Sequence, residues 1–261
     1  MIEKIVVFIV RYKEVYKLYE CLDSIRVNIP VYIINNYGTL VLPKDKYPNV
    51  TVMDNIVRPD FSTGHLSRNW NQAIINGFKN INYPAVDKVV AIQSDVKLSH
   101  NWYDNVKNLD KKIRYLVCGR GDEFQIFTPD GIRNVGLYDE RFCNIGYQES
   151  DYFLRNLIIQ PNNCCIIDYA HGRVNIPSEF SNVKESDFII SSAEGYVFNE
   201  AHIESQKFHE ISNRWFMKKW NNMTHWREFW NEENKKPDPF QKEIYLYPYF
   251  ECNINPVLYC T

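Results

Sequence analysis

The sequence lacks the short signatures that usually betray a phosphate site, a metal knuckle or a membrane. Neither G-x-G-x-x-G nor G-x-x-x-x-G-K-[ST] occurs in its 261 residues, which removes support for a dinucleotide fold or a P-loop. A bound diphosphate therefore needs its charge balanced by other means. The seven cysteines are odd in number, include the adjacent pair Cys164-Cys165 and show no C-x-x-C spacing. Neither a disulfide framework nor a zinc ribbon is indicated, and mostly buried thiols are expected. The first apolar run, Ile5 to Val10, stops at Arg11. It is too short for a signal-peptide core or a membrane span, so the expectation is a soluble, cytoplasmic protein without a transmembrane segment. Basic and acidic residues nearly cancel, 30 against 32, for a net charge of −2. No global field recruits nucleic acid or an anionic membrane, and no nucleic-acid partner is expected. Repeats and low-complexity tracts are missing too, and the sequons at Asn49 and Asn222 have no secretory context.

What is present is a folding composition. With 45% hydrophobic, 24% charged and 15% aromatic residues, the chain is globular and suits one large α/β domain, or one with a C-terminal appendage. Ile5–Val10 reads as a buried strand. Val15, Leu18, Leu22 and Ile25 then recur at helical spacing. Val31–Ile34 is a second strand running into Asn35-Asn36-Tyr37-Gly38, and Val50–Met53 a third. Leu66, Trp70, Ala73, Ile74 and Phe78 form another helical stripe after the loop Pro59 to Gly64, and Val89–Ile92 returns to a buried strand. This alternation implies a doubly wound, mostly parallel sheet. Beyond residue 112 come short strands at Tyr115–Cys118 and Phe124–Phe127, a helix over Ser150–Ile159 and a strand at Ile166–Asp168. Residues 172 to 198 read as loop-rich, followed by a long helical stripe through Ile203, Phe208, Ile211, Trp215 and Trp220, then an aromatic tail from Tyr245. The expected division is a core over residues 1–172 and an extension over 173–261 packed back on it.

In an open α/β sheet, ligands sit at the carboxyl ends of the strands. Val10 and Arg11 end the first strand, Asn35 and Asn36 the second, and Gln93-Ser94-Asp95 the strand through Ile92. Each taken alone is an ordinary turn residue; their shared placement makes them a candidate site. Asp95 supplies carboxylate oxygen of the kind Mg²⁺ or Mn²⁺ prefers, and His171 a nitrogen ligand. Gly146 to Arg155 puts Glu149 and Asp151 at the mouth of a helix. Helix capping suits Asp151. Glu149 has the chemistry to take a proton from an acceptor hydroxyl.

Several segments in order resemble family 2 type glycosyltransferases of the GT-A fold. The opening strand with Arg11-Tyr12-Lys13-Glu14, the stretch Ile33 to Thr39, and Gly64 to Ala73 with Arg68-Asn69-Trp70-Asn71 are similar to that family's nucleotide-binding parts. Val89 to Asp95 resembles the strand leading to the metal-binding DxD, with Gln93 for the first acid. Gly136 to Phe142 and Gly146 to Arg155 resemble the acceptor-side segment, and Asn213 to Trp220 a stretch often found beyond the catalytic core. The resemblance implies a donor site at Val10, Arg11, Asn35, Asn36, Arg68, Gln93, Ser94 and Asp95. It implies a divalent ion, Mn²⁺ or Mg²⁺, at Asp95 and His171, with affinity weakened by Gln93. Glu149 matches the general base, and Tyr147, Asp151 and Arg155 match residues that bind the acceptor or support the site. The expected activity is transfer of a sugar from a nucleotide-diphosphate sugar, UDP-sugar favoured, to a glycan or other hydroxyl acceptor with inversion. Two rivals stand beside it, a sugar-phosphate nucleotidyltransferase and a non-catalytic carbohydrate-binding module on the same scaffold.

Overall fold

The computed structural model describes residues 4–13, 15–55, 66–142, 146–168, 173–191, 200–220, 222–224 and 226. Its centre is an eight-stranded sheet in the order β3-β2-β1-β4-β7-β6-β8-β9, formed by β1 (Ile5–Arg11), β2 (Val31–Asn35), β3 (Val50–Asp54), β4 (Lys88–Gln93), β6 (Tyr115–Gly119), β7 (Phe124–Phe127), β8 (Cys164–Asp168) and β9 (Arg173–Asn175). β5 (Lys97–Leu98) and β10 (Ile189–Ser191) make a separate antiparallel pair. β1 pairs in parallel with both β2 and β4, whereas β7 is antiparallel to β4 and β6, and β9 to β8. The result is the mixed, mostly parallel sheet of the GT-A fold. The boundary expected after residue 172 falls within this sheet, since β9 hydrogen-bonds to β8.

Strand periodicity sorts the core into two layers. Val6, Phe8 and Val10 face one side with Val89 and Ala91, and Ile5, Val7 and Ile9 face the other with Val90 and Ile92. The first side is covered by α2 (Leu66–Phe78), α4 (Pro129–Val135), α5 (Gln148–Ile159) and α6 (Glu200–Lys219), the second by α1 (Val15–Ile25) and α3 (Trp102–Lys107). The adjacent thiols Cys164 and Cys165 divide between the two sides; with Cys21 and Cys118 they are free and buried.

Two features of this topology position a site. The chain winds from β1 outward to β2 and β3, then returns through α2 to β4 on the other flank of β1. The carboxyl ends of β1 and β4 therefore border the switch-point crevice where α/β sheets bind ligands. Because β7 runs against β4, with Ile92 opposite Phe124, the β6–β7 turn over residues 120–123 lands beside Gln93. Among the described residues no helix is long and apolar enough to cross a membrane.

Candidate active site

At the switch point Val10 faces Gln93 across the β1–β4 pair, and the Ser94 amide donates to the Val10 carbonyl at 3.0 Å. The Gln93 amide in turn donates to the Glu123 carbonyl at 2.9 Å. By strand alternation Gln93 shares the side of Ala91, under α2 and α5. There its Nε2 donates to Oδ1 of Asp122 at 3.2 Å. Asp122 is 3% exposed and gathers two more donors on Oδ2, Trp70 Nε1 of α2 at 2.7 Å and Gln148 Nε2 of α5 at 3.3 Å. One buried carboxylate thus ties three elements together through neutral N–H groups. Burial raises its pKa, against the hydrogen bonds from Trp70, Gln148, its own backbone and Gln93.

Glu149 follows Gln148 in the first turn of α5. Gly121 in the same β6–β7 turn has φ +73, and a Cβ built on it would lie 3.9 Å from Cγ of Glu149. Its glycine identity serves the left-handed backbone, and the space beside it leaves Glu149 at ordinary contact distance. The helix is entered through Tyr147, at φ 69, a conformation costing an aromatic residue roughly 1–3 kcal/mol and characteristic of functional sites. Its ring packs on His209 and Phe216 of α6, and burial followed by the Glu149 charge raises its hydroxyl pKa.

Asp151 and Arg155 point the other way. Both are fully buried; Asp151 binds Arg155 Nε at 3.1 Å, Lys219 Nζ at 2.7 Å and Trp220 Nε1 at 2.9 Å, while Arg155 also donates to the carbonyls of Val135 and Leu137. Lys219 bridges to Asp139 at 2.8 Å, which Arg141 grips through Nε and Nη2. Burial alone would raise the Asp139 carboxyl, but Lys219 and Arg141 outweigh it and hold it well below the usual range. Both side chains are enclosed in this cluster and present no surface to solvent.

On the β1–β2 corner, Arg11 is 3% exposed and donates to Asn35 Oδ1 and to the carbonyls of Tyr37 and Lys13. Asn35, fully buried, donates to the Gly38 carbonyl and to Asp54 Oδ1, both at 2.7 Å. These two expected donor contacts therefore shape the corner from behind, and Tyr37 and Asp54 lie exposed at it. Asn36 accepts from Asn55, which also bonds Gln72 and Asn69 of α2. Arg68 pairs with Glu140 at 3.0 Å.

Asp95 lies apart from Asp122, toward α1. Its Oδ1 is buried without a hydrogen-bond partner among the described residues, and burial lifts its pKa to about 6, against its own backbone amide and the charge of Lys17. An orphaned carboxylate oxygen beside a ligand crevice fits a divalent cation that takes most of its remaining ligands from phosphate and water. His171 lies outside the described residues, and among those no group of three His, Cys, Asp or Glu side chains forms a closed metal site. Residues that sequence reasoning did not reach are Asp122, Asp54 and Asn55. Asp122 sits in the turn Arg120-Gly121-Asp122-Glu123, and its partners are 26 to 52 residues away in sequence.

No protein-family model matches the sequence, and no curated protein matches it. Solved structures do. A crystal structure of GalNAc-T7 with UDP, GalNAc and Mn²⁺ aligns at TM-score 0.50 and 11% identity, over 99% of this chain and 57% of that one. The glycosyltransferase GlyE of Streptococcus pneumoniae TIGR4 aligns at 0.38 and 10% identity, over 65% of this chain and 46% of that one. The galactosyltransferase LgtC, in complex with donor and acceptor sugar analogs, aligns at 0.42 and 12% identity, over 80% and 95%. The chain spans about half the length of the first two. At such identities the likeness concerns architecture alone, and the architecture is that of GT-A glycosyltransferases.

Proposed function

We propose that the protein is a glycosyltransferase that moves a sugar from a nucleotide-diphosphate donor, UDP-sugar favoured, to a hydroxyl of a glycan or other acceptor with inversion. The observation that carries this reading is the meeting of β4 and the first turn of α5 at one carboxylate. Gln93, at the donor end of the sheet, and Gln148, the neighbour of Glu149, both bond Asp122. This meeting supports a reading in which Glu149, the residue after Gln148, accepts a proton across from the strand ends where a diphosphate would lie.

In this scheme Val10, Asn36, Arg68, Gln93 and Ser94 contact the donor, while Arg11 and Asn35 hold the β1–β2 corner in shape. Asp95, with His171, would hold Mn²⁺ or Mg²⁺, which when bound supplies Lewis-acid stabilisation to the departing diphosphate. A crystal structure of GalNAc-T7 with UDP, GalNAc and Mn²⁺ is in keeping with that choice. Glu149 takes the proton of the acceptor hydroxyl. The acceptor oxygen forms its bond to the anomeric carbon as the bond to the phosphate oxygen breaks, and the nucleoside diphosphate leaves with the electron pair. Attack from the face opposite the phosphate inverts the centre. Asp151 and Arg155 fix α5, and Tyr147 sets its entry.

The test is a thermal-shift panel of nucleoside diphosphates and nucleotide sugars, each with Mn²⁺ or with chelator. A ligand at 100 times its Kd adds about 2.7 kcal/mol of stability. A Mn²⁺-dependent shift with one nucleotide, weakened in Asp95→Ala, is the expected result. No shift with any nucleotide at millimolar concentration overturns the transferase reading in favour of a carbohydrate-binding module.

A further inference from the structure

We propose that Asp122 is a positioning residue that fixes the side-chain amide of Gln93 with its N–H inward, so that its oxygen faces the donor hydroxyls as a hydrogen-bond acceptor. This rests on the transferase reading above. The geometry supplies the logic. Trp70 Nε1 is a donor only and sits at 2.7 Å from Oδ2 of Asp122, with Gln148 Nε2 on the same oxygen. Among the described side chains, Gln93 is the donor to Oδ1. Gln93 presents its NH₂ to this oxygen at 3.2 Å, and a carboxylate oxygen is an acceptor for it. The other end of the Gln93 amide is thereby turned away, and it accepts from no described residue. Gln93 is only half-buried, whereas Asp122 is buried, so the carbonyl lies on the open side.

This arrangement makes a substitution experiment with an internal rescue. In Asp122→Asn, a residue of the same shape, the oxygen must still face Trp70, and the new NH₂ then faces Gln93. The Gln93 amide has to turn over, which brings its own NH₂ to the cleft and removes the acceptor. Donor KM should rise about tenfold, the worth of one hydrogen bond, with kcat changed less than about threefold on the same scale. In the double variant Asp122→Asn/Gln93→Glu the hydrogen bond runs in the opposite sense, and the second oxygen of the introduced carboxylate again faces the donor. Donor KM should return to within about threefold of the starting value. A purely structural role for Asp122 would not be rescued by changing its partner.

The amide is also read directly, without donor, from hydrogen exchange of the Gln93 and Gln148 side-chain NH₂ groups by ¹⁵N NMR of the full chain. Protected NH₂ protons on Gln93 that become exposed in Asp122→Asn support the proposal, even should no nucleotide sugar bind, a result that would count against the transferase reading alone. Free exchange of the Gln93 NH₂ in the unsubstituted protein overturns it. So does an Asp122→Asn variant with unchanged donor KM, or a double variant that stays as impaired as the single one.

Discussion

Two sets of buried carboxylates lie along the first turn of α5 and differ in how their charge is met. Asp139 and Asp151 face three cations, Lys219, Arg141 and Arg155, at 2.7 to 3.1 Å. Asp122, just as buried, has as hydrogen-bond donors to its carboxylate the neutral N–H groups of Trp70, Gln93 and Gln148. Both arrangements satisfy the carboxylate oxygens, yet their pKa values move in opposite directions, Asp139 down and Asp122 up. The first set fixes α6 to the body of the domain. The second holds the glutamine amides of β4 and α5 at the edge of the crevice.

That comparison can be broken at several points. The largest effect is expected on the crevice side: Glu149→Gln should lower turnover by about 10² to 10⁴-fold while leaving the melting temperature nearly unchanged, as read from initial rates and a thermal melt on the same preparation. A variant that keeps its turnover removes Glu149 from the base role. On the cation-matched side, Lys219→Met leaves Asp139 and Asp151 short of charge and should cost about 3–5 kcal/mol of stability. For a domain of this size that lowers the melting temperature by on the order of 10 °C. Denaturant unfolding measures it, and a loss under about 1 kcal/mol would mean that the cluster is not needed to dock α6.

The third and smallest effect is on pH dependence, followed in chelator. Burial raises Asp95 from 3.8 to about 6. The folded state therefore binds this proton more tightly than the unfolded chain, and the advantage, fully present below about pH 4, is lost as pH rises through about 6. Stability should fall by up to about 3 kcal/mol across that window, and Asp95→Asn should flatten the fall. Asp139, held low, acts with opposite sign. Its contribution is present above its ordinary value of 3.8 and lost as pH drops below that, so Asp139→Asn should flatten the acid limb and leave the region from about pH 4 to 6 alone.

The winding of the first half was legible because its signals are local. Alternation and helical spacing placed β1, α1, β2, β3, α2 and β4 close to where they stand, and the strand ends followed. The helix over Ser150–Ile159 and the long stripe ending near Trp220 were legible for the same reason. The two-residue β5, the three-residue β9 and β10, and the short helices α3 and α4 carry too few residues to show a period. Asp122 was hidden for another reason. Arg120-Gly121-Asp122-Glu123 reads as a turn, and only the antiparallel run of β7 against β4 brings it to Gln93. Asp151 and Arg155 show the reverse case: their spacing was visible, but Lys219 and Trp220, the latter 69 residues downstream of Asp151, decide that they face inward. The expected loop at 59–64, His171 and the tail from Tyr245 lie outside the described residues.

The Lys219–Asp139 bridge spans 80 positions of the chain. During synthesis at roughly 5–20 residues per second, about 4 to 16 s separate the making of the two ends. During that interval Asp139, and Asp151 once it is made, lack their lysine, and after β9 is made the sheet still has a side of its core waiting for Phe216 and Trp220. Closure of the domain thus waits until residues 216–220 are made, and a ribosome that stalls in this interval would expose an unsealed apolar face to chaperones.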